Sequence, residues 1–162
     1  MRAIPDYYYK SPTQVTPAWL AERGIEGVIV DLDNTILPRY TTEVPEEIRA
    51  WIDTLVSARI PIVLLSNNHR KRVERYAAEL GVIPLANAIK PLPFGYLRAL
   101  RKLALPRRKT VMIGDQFFTD TLGAALSGIT SVMVLPLSHR DLAHTLLLRK
   151  LEKMFIGHRV AS

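Results

Sequence analysis

Apolar residues recur along the chain in two patterns, which together predict alternating strands and helices. Short uninterrupted apolar runs are typical of strands buried on both faces, and apolar residues three or four positions apart are typical of helices with one buried face. The short runs predict five strands, at residues 28–30, 62–65, about 82–89, 111–113 and 131–135. The helical spacing predicts five helices, one from residue 45 onward and others at about 70–80, 93–104, 119–126 and 138–155.

Proline, glycine and acidic residues mark where several of these elements begin and end. Pro45, followed by two glutamates, is typical of a helix N-terminus. Gly81 and Gly128 are typical of the position just after a helix, and Pro84 interrupts the third strand and leaves its limits open. Repeated strand–helix units of this length predict an α/β fold with a doubly wound, Rossmann-like parallel sheet of about five strands flanked by helices.

Length and composition favour a single domain spanning residues 1–162. We expect a core at 28–135, an N-terminal segment at 1–24 and a C-terminal helix at about 138–155. With 48% hydrophobic residues, a mean hydropathy of +0.08 and no cysteine, the chain is typical of a globular protein without disulfides or thiolate metal sites. No secretory signal or membrane-spanning run is visible, so we expect a cytoplasmic protein.

Positive charge is concentrated in one part of the chain. The net charge is +7, and residues 67–109 hold eleven basic and two acidic residues, a net charge of +9. This segment favours anionic partners: phosphorylated substrates, an anionic membrane surface or, as a weaker candidate, nucleic acid. The plainer interpretation, which we prefer for most of these side chains, is a pair of solvated helix faces. We expect Tyr7, Tyr8, Tyr9 and Trp19 to cover the edge of the core rather than contact a lipid interface.

Two carboxylates follow the first predicted strand with one residue between them. Asp31 and Asp33 point to the same side because side chains alternate along a strand. Carboxylates this close repel each other and favour a cation or a shared proton between them. The strand end therefore predicts a metal-assisted reaction centre, and a polar turn after the strand is the alternative.

Polar residues also follow the other predicted strands: Ser66 and Asn67 the second, Lys90 the third, and Asp115 and Asp120 the fourth. In an open parallel sheet, the carboxyl ends of the strands lie along one edge, where ligands bind. We therefore expect these side chains, which are far apart in sequence, to converge on the two aspartates of the first strand.

In this order, these groups resemble the four motifs of the haloacid dehalogenase superfamily of aspartyl-phosphate phosphatases. Residues 31–35 (Asp-Leu-Asp-Asn-Thr) match the first motif, Ser66 the second, Lys90 the third, and residues 114–120 (Gly-Asp-Gln-Phe-Phe-Thr-Asp) the fourth. The intervals between the first three motifs are short and are filled by single predicted helices and strands. They leave no room for an inserted cap domain.

Within the superfamily, the chain resembles the small capless group, subclass III-A, that includes phosphatidylglycerophosphate phosphatases. The resemblance rests on the motifs together with the segments 5–20, 24–28, 66–68 and 90–91. It implies removal of phosphate from a lipid head group at the cytoplasmic membrane face. An uncapped site suits a large or membrane-held substrate, because small metabolites usually need a lid that excludes water.

The resemblance also implies the reaction and its cofactor. Asp31 attacks phosphorus and becomes an aspartyl-phosphate, while Asp33 protonates the leaving oxygen and then activates water. Mg²⁺ is bound by the carboxylate of Asp31, the main-chain carbonyl of Asp33 and the carboxylate of Asp115.

The remaining motif residues are expected to bind phosphoryl oxygens or to support the site. Ser66 donates its hydroxyl, Asn67 a main-chain or side-chain N–H, and Lys90 its ammonium group. A turn or helix cap is the alternative for Ser66, and an ordinary surface position is the alternative for Lys90. Asp120 is expected at the water shell of the metal or as a helix cap, and Thr35 is expected to shape the loop.

Other functions stay open at this point. Nucleic-acid phosphate ends and sugar phosphates are alternative substrates, and a capless sugar-phosphate enzyme would need an oligomer to close its site. A response-regulator receiver, a signalling module, combines a doubly wound sheet with an acidic cluster, a hydroxyl residue and a lysine. In a receiver, however, the acidic pair follows the first strand and the phosphoacceptor follows a later one. The sequence does not specify an oligomeric state.

Overall fold

A parallel sheet of six strands forms the centre of the structure, a computed structural model that describes residues 4–138. The strands are β1 (Tyr7–Tyr9), β2 (Gly27–Val30), β3 (Ile62–Leu65), β4 (Ile83–Leu85), β5 (Thr110–Gly114) and β6 (Thr130–Val134). The α-helices are α1 (Pro17–Glu22), α2 (Glu46–Ser57), α3 (Arg70–Leu80), α4 (Pro93–Leu103) and α5 (Leu122–Ser127). Across the sheet the strands follow the order β1-β6-β5-β2-β3-β4, and each neighbouring pair is parallel.

The central strands carry apolar side chains on both faces, and helices cover each face. In β2, Val28 and Val30 belong to the layer that contains α1, α2 and α3, whereas Ile29 belongs to the layer that contains α4. Every residue of β2 and β3 is buried. Strands covered on both sides are continuous apolar runs, which is why these strands were visible in the sequence.

The predicted fold class is confirmed, and the five predicted strands are present, the second with its predicted limits and the other four with changed limits. The third is shorter than predicted, because Asn87 adopts a left-handed backbone conformation (φ 49°) that ends the extended run after β4. The predicted helix at 119–126 is wrong at its start. The segment Phe117–Thr121 forms a π-helical turn, and α5 begins only after it.

A sixth strand, β1, was not predicted and lies at the edge of the sheet beside β6. The Asp6 side chain accepts hydrogen bonds from the main-chain N (2.8 Å) and the Oγ (3.2 Å) of Ser131 and so ties the two strands together. Tyr7 and Tyr9 pack against the core, edge-on to Trp19 at centroid distances of 5.1 and 6.1 Å. The expectation that these aromatic residues cover the edge of the core is confirmed.

The connections between the motif-bearing strands are short. Between β2 and β3 the structure contains a loop and α2, and between β3 and β4 its only helix is α3. Within residues 4–138, the expected absence of a cap domain is therefore confirmed. Within the same residues, every helix is too short or too polar to cross a membrane. The predicted helix at about 138–155 lies almost wholly outside the described residues.

The start of α4 packs closely against the loop that follows β4. A Cβ atom on Gly95 would lie 2.5 Å from the carbonyl oxygen of Ala88. The neighbouring Tyr96 donates a hydrogen bond from its hydroxyl to the carbonyl oxygen of Thr119 (2.5 Å), beyond β5. Through these two contacts, α4 holds the loops after β4 and β5 at the same edge of the sheet.

Substitution of Gly95 by alanine should destabilise the protein. An ordinary glycine-to-alanine change inside a helix stabilises it by about 1 kcal/mol. Here the new methyl group would overlap the Ala88 main chain, and we expect a loss of about 1–3 kcal/mol in the free energy of unfolding. Urea titration measures it, and an unchanged or higher midpoint would show that the loop does not depend on this close approach.

Candidate active site

The loops after β2, β3, β4 and β5 meet at one edge of the sheet and form an open cavity of about 310 Å³. The residues that line it come from all four loops: Asp31, Asp33, Ser66, Asn67, Asn68, Lys90, Gln116 and Thr119. Six of these eight residues follow β2, β3 or β4, and the other two follow β5. The convergence of the loops that was expected from the sequence is therefore present.

Lys90 lies at the floor of this cavity between two carboxylates. Its Nζ donates to Asp31 Oδ1 at 2.6 Å and to Asp120 Oδ1 at 2.7 Å, and its side chain is only 3% exposed. Burial by itself lowers the pKa of Lys90, but the charges of Asp120 and Asp31 outweigh burial and raise that pKa overall. Lys90 is therefore a buried, permanently charged ammonium group and not an ordinary surface lysine.

Three carboxylates share the site with this ammonium group. Asp31, Asp115 and Asp120 are buried, and one carboxylate oxygen from each lies within 4.8 Å of the others. Burial, followed by the charge of Asp120, raises the pKa of Asp31 to about 7. Burial and then the charges of Asp31 and Asp120 raise the pKa of Asp115 to about 8. The three carboxylates, if all ionised, would carry more negative charge than the single ammonium group of Lys90 can balance.

These carboxylates fit a divalent cation. With all three ionised and Lys90 protonated, the buried cluster carries a net charge of −2. Asp115 Oδ1 accepts a hydrogen bond from the Thr35 hydroxyl (3.1 Å), whereas Asp115 Oδ2 is buried and has no hydrogen-bond partner among residues 4–138. A carboxylate oxygen left over in this way, in a site whose ligands are all oxygens, suits a hard cation such as Mg²⁺. Thr35, expected to shape the loop, also holds a candidate ligand.

The side chain of Asp33 lies apart from this cluster. Its Oδ2 accepts a hydrogen bond from Asn68 Nδ2 (2.9 Å), its Oδ1 accepts one from Arg72 Nη2 (3.0 Å), and the side chain is 43% exposed. The two aspartates therefore have different surroundings: Asp31 is buried, and Asp33 is partly exposed to solvent. The third carboxylate of the buried cluster belongs to Asp120 and not to Asp33. From Asp33, the family resemblance implied only the main-chain carbonyl as a metal ligand.

Asp120 is fixed by both of its oxygens. Oδ1 accepts from Lys90, and Oδ2 accepts from the main-chain N of Gln116 at 3.1 Å. A Cβ atom on Gly114 would collide with the Asp120 carboxylate, so only glycine at the end of β5 admits it. Two roles were expected for Asp120: a cap and a place at the water shell of the metal. The bond from Gln116 N corresponds to a cap of the turn. The position of Asp120 beside Asp31 and Asp115 is also close to the candidate metal site.

The two polar residues after β3 are used differently. Ser66 is buried, and its Oγ accepts a hydrogen bond from the main-chain N of Asn68 (3.1 Å), as expected for a turn cap. Asn67 holds the main chain of Lys90: its Oδ1 accepts from Lys90 N (2.7 Å), and its Nδ2 donates to Lys90 O (3.2 Å). The amide side chain of Asn67 is therefore engaged in fixing the lysine, a role that the sequence did not indicate.

Sequence reasoning missed several residues of the site. Asn68 and Arg72 contact Asp33, and Gln116 and Thr119 line the cavity. Gln116 and Thr119 belong to the fourth motif segment, so their position near the site could have been inferred. Arg72 gave no such signal, because it is one of several basic residues at the start of α3.

The sequence of the chain is similar to proteins of one enzyme family. A family model described as haloacid dehalogenase-like hydrolase matches residues 40–128, which begin after the first motif. The chain is 31% identical over 154 residues to the probable phosphatase YqeG of Bacillus subtilis, covering 95% of this chain and 90% of that protein. It is also 25% identical over 132 residues to phosphatidylglycerophosphate phosphatase 1 of Arabidopsis thaliana, covering 75% of this chain but 38% of that protein.

Solved structures share the fold at low sequence identity. The deoxy-D-mannose-octulosonate 8-phosphate phosphatase of Haemophilus influenzae superposes with a TM-score of 0.56 at 15% identity, covering 81% of this chain and 89% of that one. An uncharacterized protein of Listeria monocytogenes gives a TM-score of 0.56 at 18% identity, covering 80% of this chain and 99% of that one. At this identity, the likeness establishes the fold.

The raised pKa values of Asp31 and Asp115 predict a pH-dependent stability that a divalent cation removes. A carboxyl group whose pKa is higher in the folded state contributes most to the free energy of unfolding below the pKa of the unfolded chain, here 3.8. This contribution is lost as the pH rises through the folded-state pKa, about 7 for Asp31 and about 8 for Asp115. With a chelator, we expect a lower melting temperature at about pH 8.5 than at about pH 6, and Mg²⁺ should reverse the loss.

The variant Asp115→Asn tests this assignment. It should raise the melting temperature in chelator at the higher pH and weaken the response to Mg²⁺, whereas Asp53→Asn, an exposed position on α2, should do neither. A wild-type protein that melts at the same temperature at both pH values in chelator would contradict the assignment, as would a full Mg²⁺ response in Asp115→Asn.

Proposed function

The chain belongs to the haloacid dehalogenase-like hydrolases, and we propose that it hydrolyses phosphomonoesters through a phosphorylated Asp31 side chain. The family and its two phosphatase relatives make the chain a phosphatase, and they favour an enzyme over a receiver-like signalling module. The observation that carries the proposed mechanism is the buried cluster of Asp31, Lys90 and Asp115 on an open cavity.

In the first step, an Asp31 oxygen attacks phosphorus and the bond between phosphorus and the ester oxygen breaks. Asp33 gives its proton to the leaving oxygen, and the alcohol departs. This division of roles is supported by the two environments: Asp31 is buried beside Lys90, while Asp33 is half exposed at the cavity wall. Phosphoryl transfer depends mainly on positioning and charge stabilisation, which a fixed ammonium group supplies.

In the second step, water attacks phosphorus, the bond to Asp31 breaks, and inorganic phosphate leaves. The Asp33 carboxylate takes the proton from that water and is ready to act again as an acid. Lys90 and the Ser66 hydroxyl donate to phosphoryl oxygens, together with the main-chain N–H of Asn67, whose side chain is engaged with Lys90.

The proposed cofactor is Mg²⁺ bound by Asp31 and Asp115, with the main-chain carbonyl of Asp33 as a further ligand. When bound, it would offset the charge of the three carboxylates and of the phosphate. The support for it is the cluster of three buried carboxylates and the Asp115 oxygen that has no hydrogen-bond partner in the described part of the chain. Asp120 then serves mainly to hold Lys90 and the turn after β5.

The proposed substrate is a phosphate on a large or membrane-held molecule, with phosphatidylglycerophosphate the first candidate. The cavity is open, and a second cavity of about 420 Å³ beside the edge strand β4 is lined in part by three cations and one acid: Arg70, which pairs with Glu74, and Arg98 and Lys102. These cations, from the +9 segment, favour a substrate or surface with further negative charge. On this proposal, the protein works in the cytoplasm at the membrane face. Nucleic-acid ends and sugar phosphates are the alternative substrates.

Replacement of the proposed nucleophile should abolish turnover and preserve the fold. Asp31→Asn is nearly isosteric but cannot form the acyl phosphate, so phosphate release should fall to background while thermal unfolding stays cooperative. Asp53→Asn, on the exposed face of α2, is the matched control and should keep full activity. Full activity in Asp31→Asn would overturn the assignment of the nucleophile.

A substrate panel separates the reaction from its natural target. We expect Mg²⁺-dependent phosphate release to be fastest with phosphatidylglycerophosphate in mixed micelles, compared with a 5′-phosphorylated oligonucleotide and common sugar phosphates. Preference for the oligonucleotide or the sugars would leave the chemistry in place and overturn the lipid substrate.

A further inference from the structure

We infer that Arg72 and Asn68 are positioning residues that hold the Asp33 carboxylate toward the leaving oxygen, an inference that rests on the proposed acid–base role of Asp33. Arg72 lies outside the four motifs. Both residues contact the Asp33 side chain, and both are themselves anchored by other parts of the structure.

The two partners grip Asp33 by its separate oxygens. Arg72 Nη2 donates to Oδ1 at 3.0 Å, and Asn68 Nδ2 donates to Oδ2 at 2.9 Å. Bonds on both oxygens oppose rotation of the carboxylate plane. A carboxylate oxygen has about two acceptor positions, so one bond to each leaves a position free on each oxygen. Asp33 and Asn68 both line the cavity, where that free position is useful.

Asn68 is anchored through its main chain on both sides. Its N donates to Ser66 Oγ (3.1 Å), and its carbonyl oxygen accepts from Asn87 N (3.0 Å). The amide side chain therefore projects from a backbone that is tied to the loops after β3 and β4. This fixed origin makes its bond to Asp33 a geometric restraint rather than a chance surface contact.

Two features of the position of Arg72 are unfavourable for an arginine. It is the third residue of α3, where the helix dipole disfavours positive charge. Its Nε is buried and has no hydrogen-bond partner within residues 4–138, a loss that an exposed arginine would avoid. The guanidinium also lies 5.6 Å from the ring of Tyr76, whose hydroxyl donates to the Thr42 carbonyl oxygen (3.0 Å). The anchored ring of Tyr76 therefore helps to fix the guanidinium in the place from which it reaches Asp33.

A residue that orients a general acid matters most when the leaving group needs protonation. Phenolate is a poor leaving group without a proton, whereas p-nitrophenolate is far more acidic and leaves unaided. Phenyl phosphate and p-nitrophenyl phosphate are nearly equal in shape and bind alike. A defect in the orientation of Asp33 should therefore lower kcat/KM for phenyl phosphate much more than for p-nitrophenyl phosphate.

The experiment measures kcat/KM of the Mg²⁺-loaded full chain on both esters. For Arg72→Gln and Asn68→Ala, we expect a loss of roughly tenfold or more on phenyl phosphate and of no more than about threefold on p-nitrophenyl phosphate. Arg72→Lys should recover part of the loss. Its ammonium group can donate to Asp33 Oδ1, but it lacks the planar guanidinium that lies against the Tyr76 ring. Arg75→Gln is the matched control, since Arg75 lies on the same helix, 5.2 Å from the same Tyr76 ring, and should change neither value.

The outcomes separate the inference from the function on which it rests. Equal losses on both esters, or a loss in KM alone, would overturn the positioning role in favour of a structural or phosphate-binding one. No loss in either variant would overturn it outright. Asp33→Asn provides the reference: if it lacks the selective loss on phenyl phosphate, the acid role of Asp33 fails, and the inference fails with it. Thermal unfolding of each variant identifies any loss that comes from misfolding.

Discussion

The ammonium group of Lys90 lies between the carboxylates of Asp31 and Asp120, and the site is arranged around this buried charge. The three residues come from the loops after β4, β2 and β5, so one cation joins three of the four loops that form the cavity. Removal of the Lys90 charge would leave both buried carboxylates without a countercharge, which is strongly destabilising, whereas loss of one carboxylate leaves Lys90 paired with the other. The main chain of Lys90 is held as firmly as its side chain, because Asn67 bonds to both its N and its O. The fourth loop is thereby attached to the same point.

Two aspartates that follow the same strand, with one residue between them, lie in opposite environments, and this difference gives them separate chemical properties. Asp31 is buried among like charges, and its pKa is raised to about 7. Asp33 is half exposed and accepts hydrogen bonds from Asn68 and Arg72. Divergent environments for paired carboxylates are how enzymes divide roles between identical groups. A buried cluster that lacks balancing charge also makes cation binding and proton release parts of the same equilibrium.

The central sheet and the main site residues could be predicted because they depend on local patterns. Strands covered on both faces are apolar runs, and parallel topology brings their ends together, so Asp31, Lys90 and Asp115 were found. Strand β1 gave no such signal, since its tyrosines are only half buried and its partner, β6, lies more than a hundred residues away in sequence. Arg72 was missed because its function depends on which of several cations at the start of α3 points to Asp33. That choice is set by tertiary packing and leaves no periodic mark in the sequence.

The position of β1 determines when the sheet is complete. Ribosomes make β1 before the other five described strands, and the segment with which it pairs, Thr130–Val134, is the last of them. Until then, the edge of β5 and the tyrosines of β1 lack the partner that covers them in the finished fold. Contacts between segments so far apart form slowly, because a long loop must close first. Until β6 is in place, the same edge is therefore open to association with other chains during synthesis.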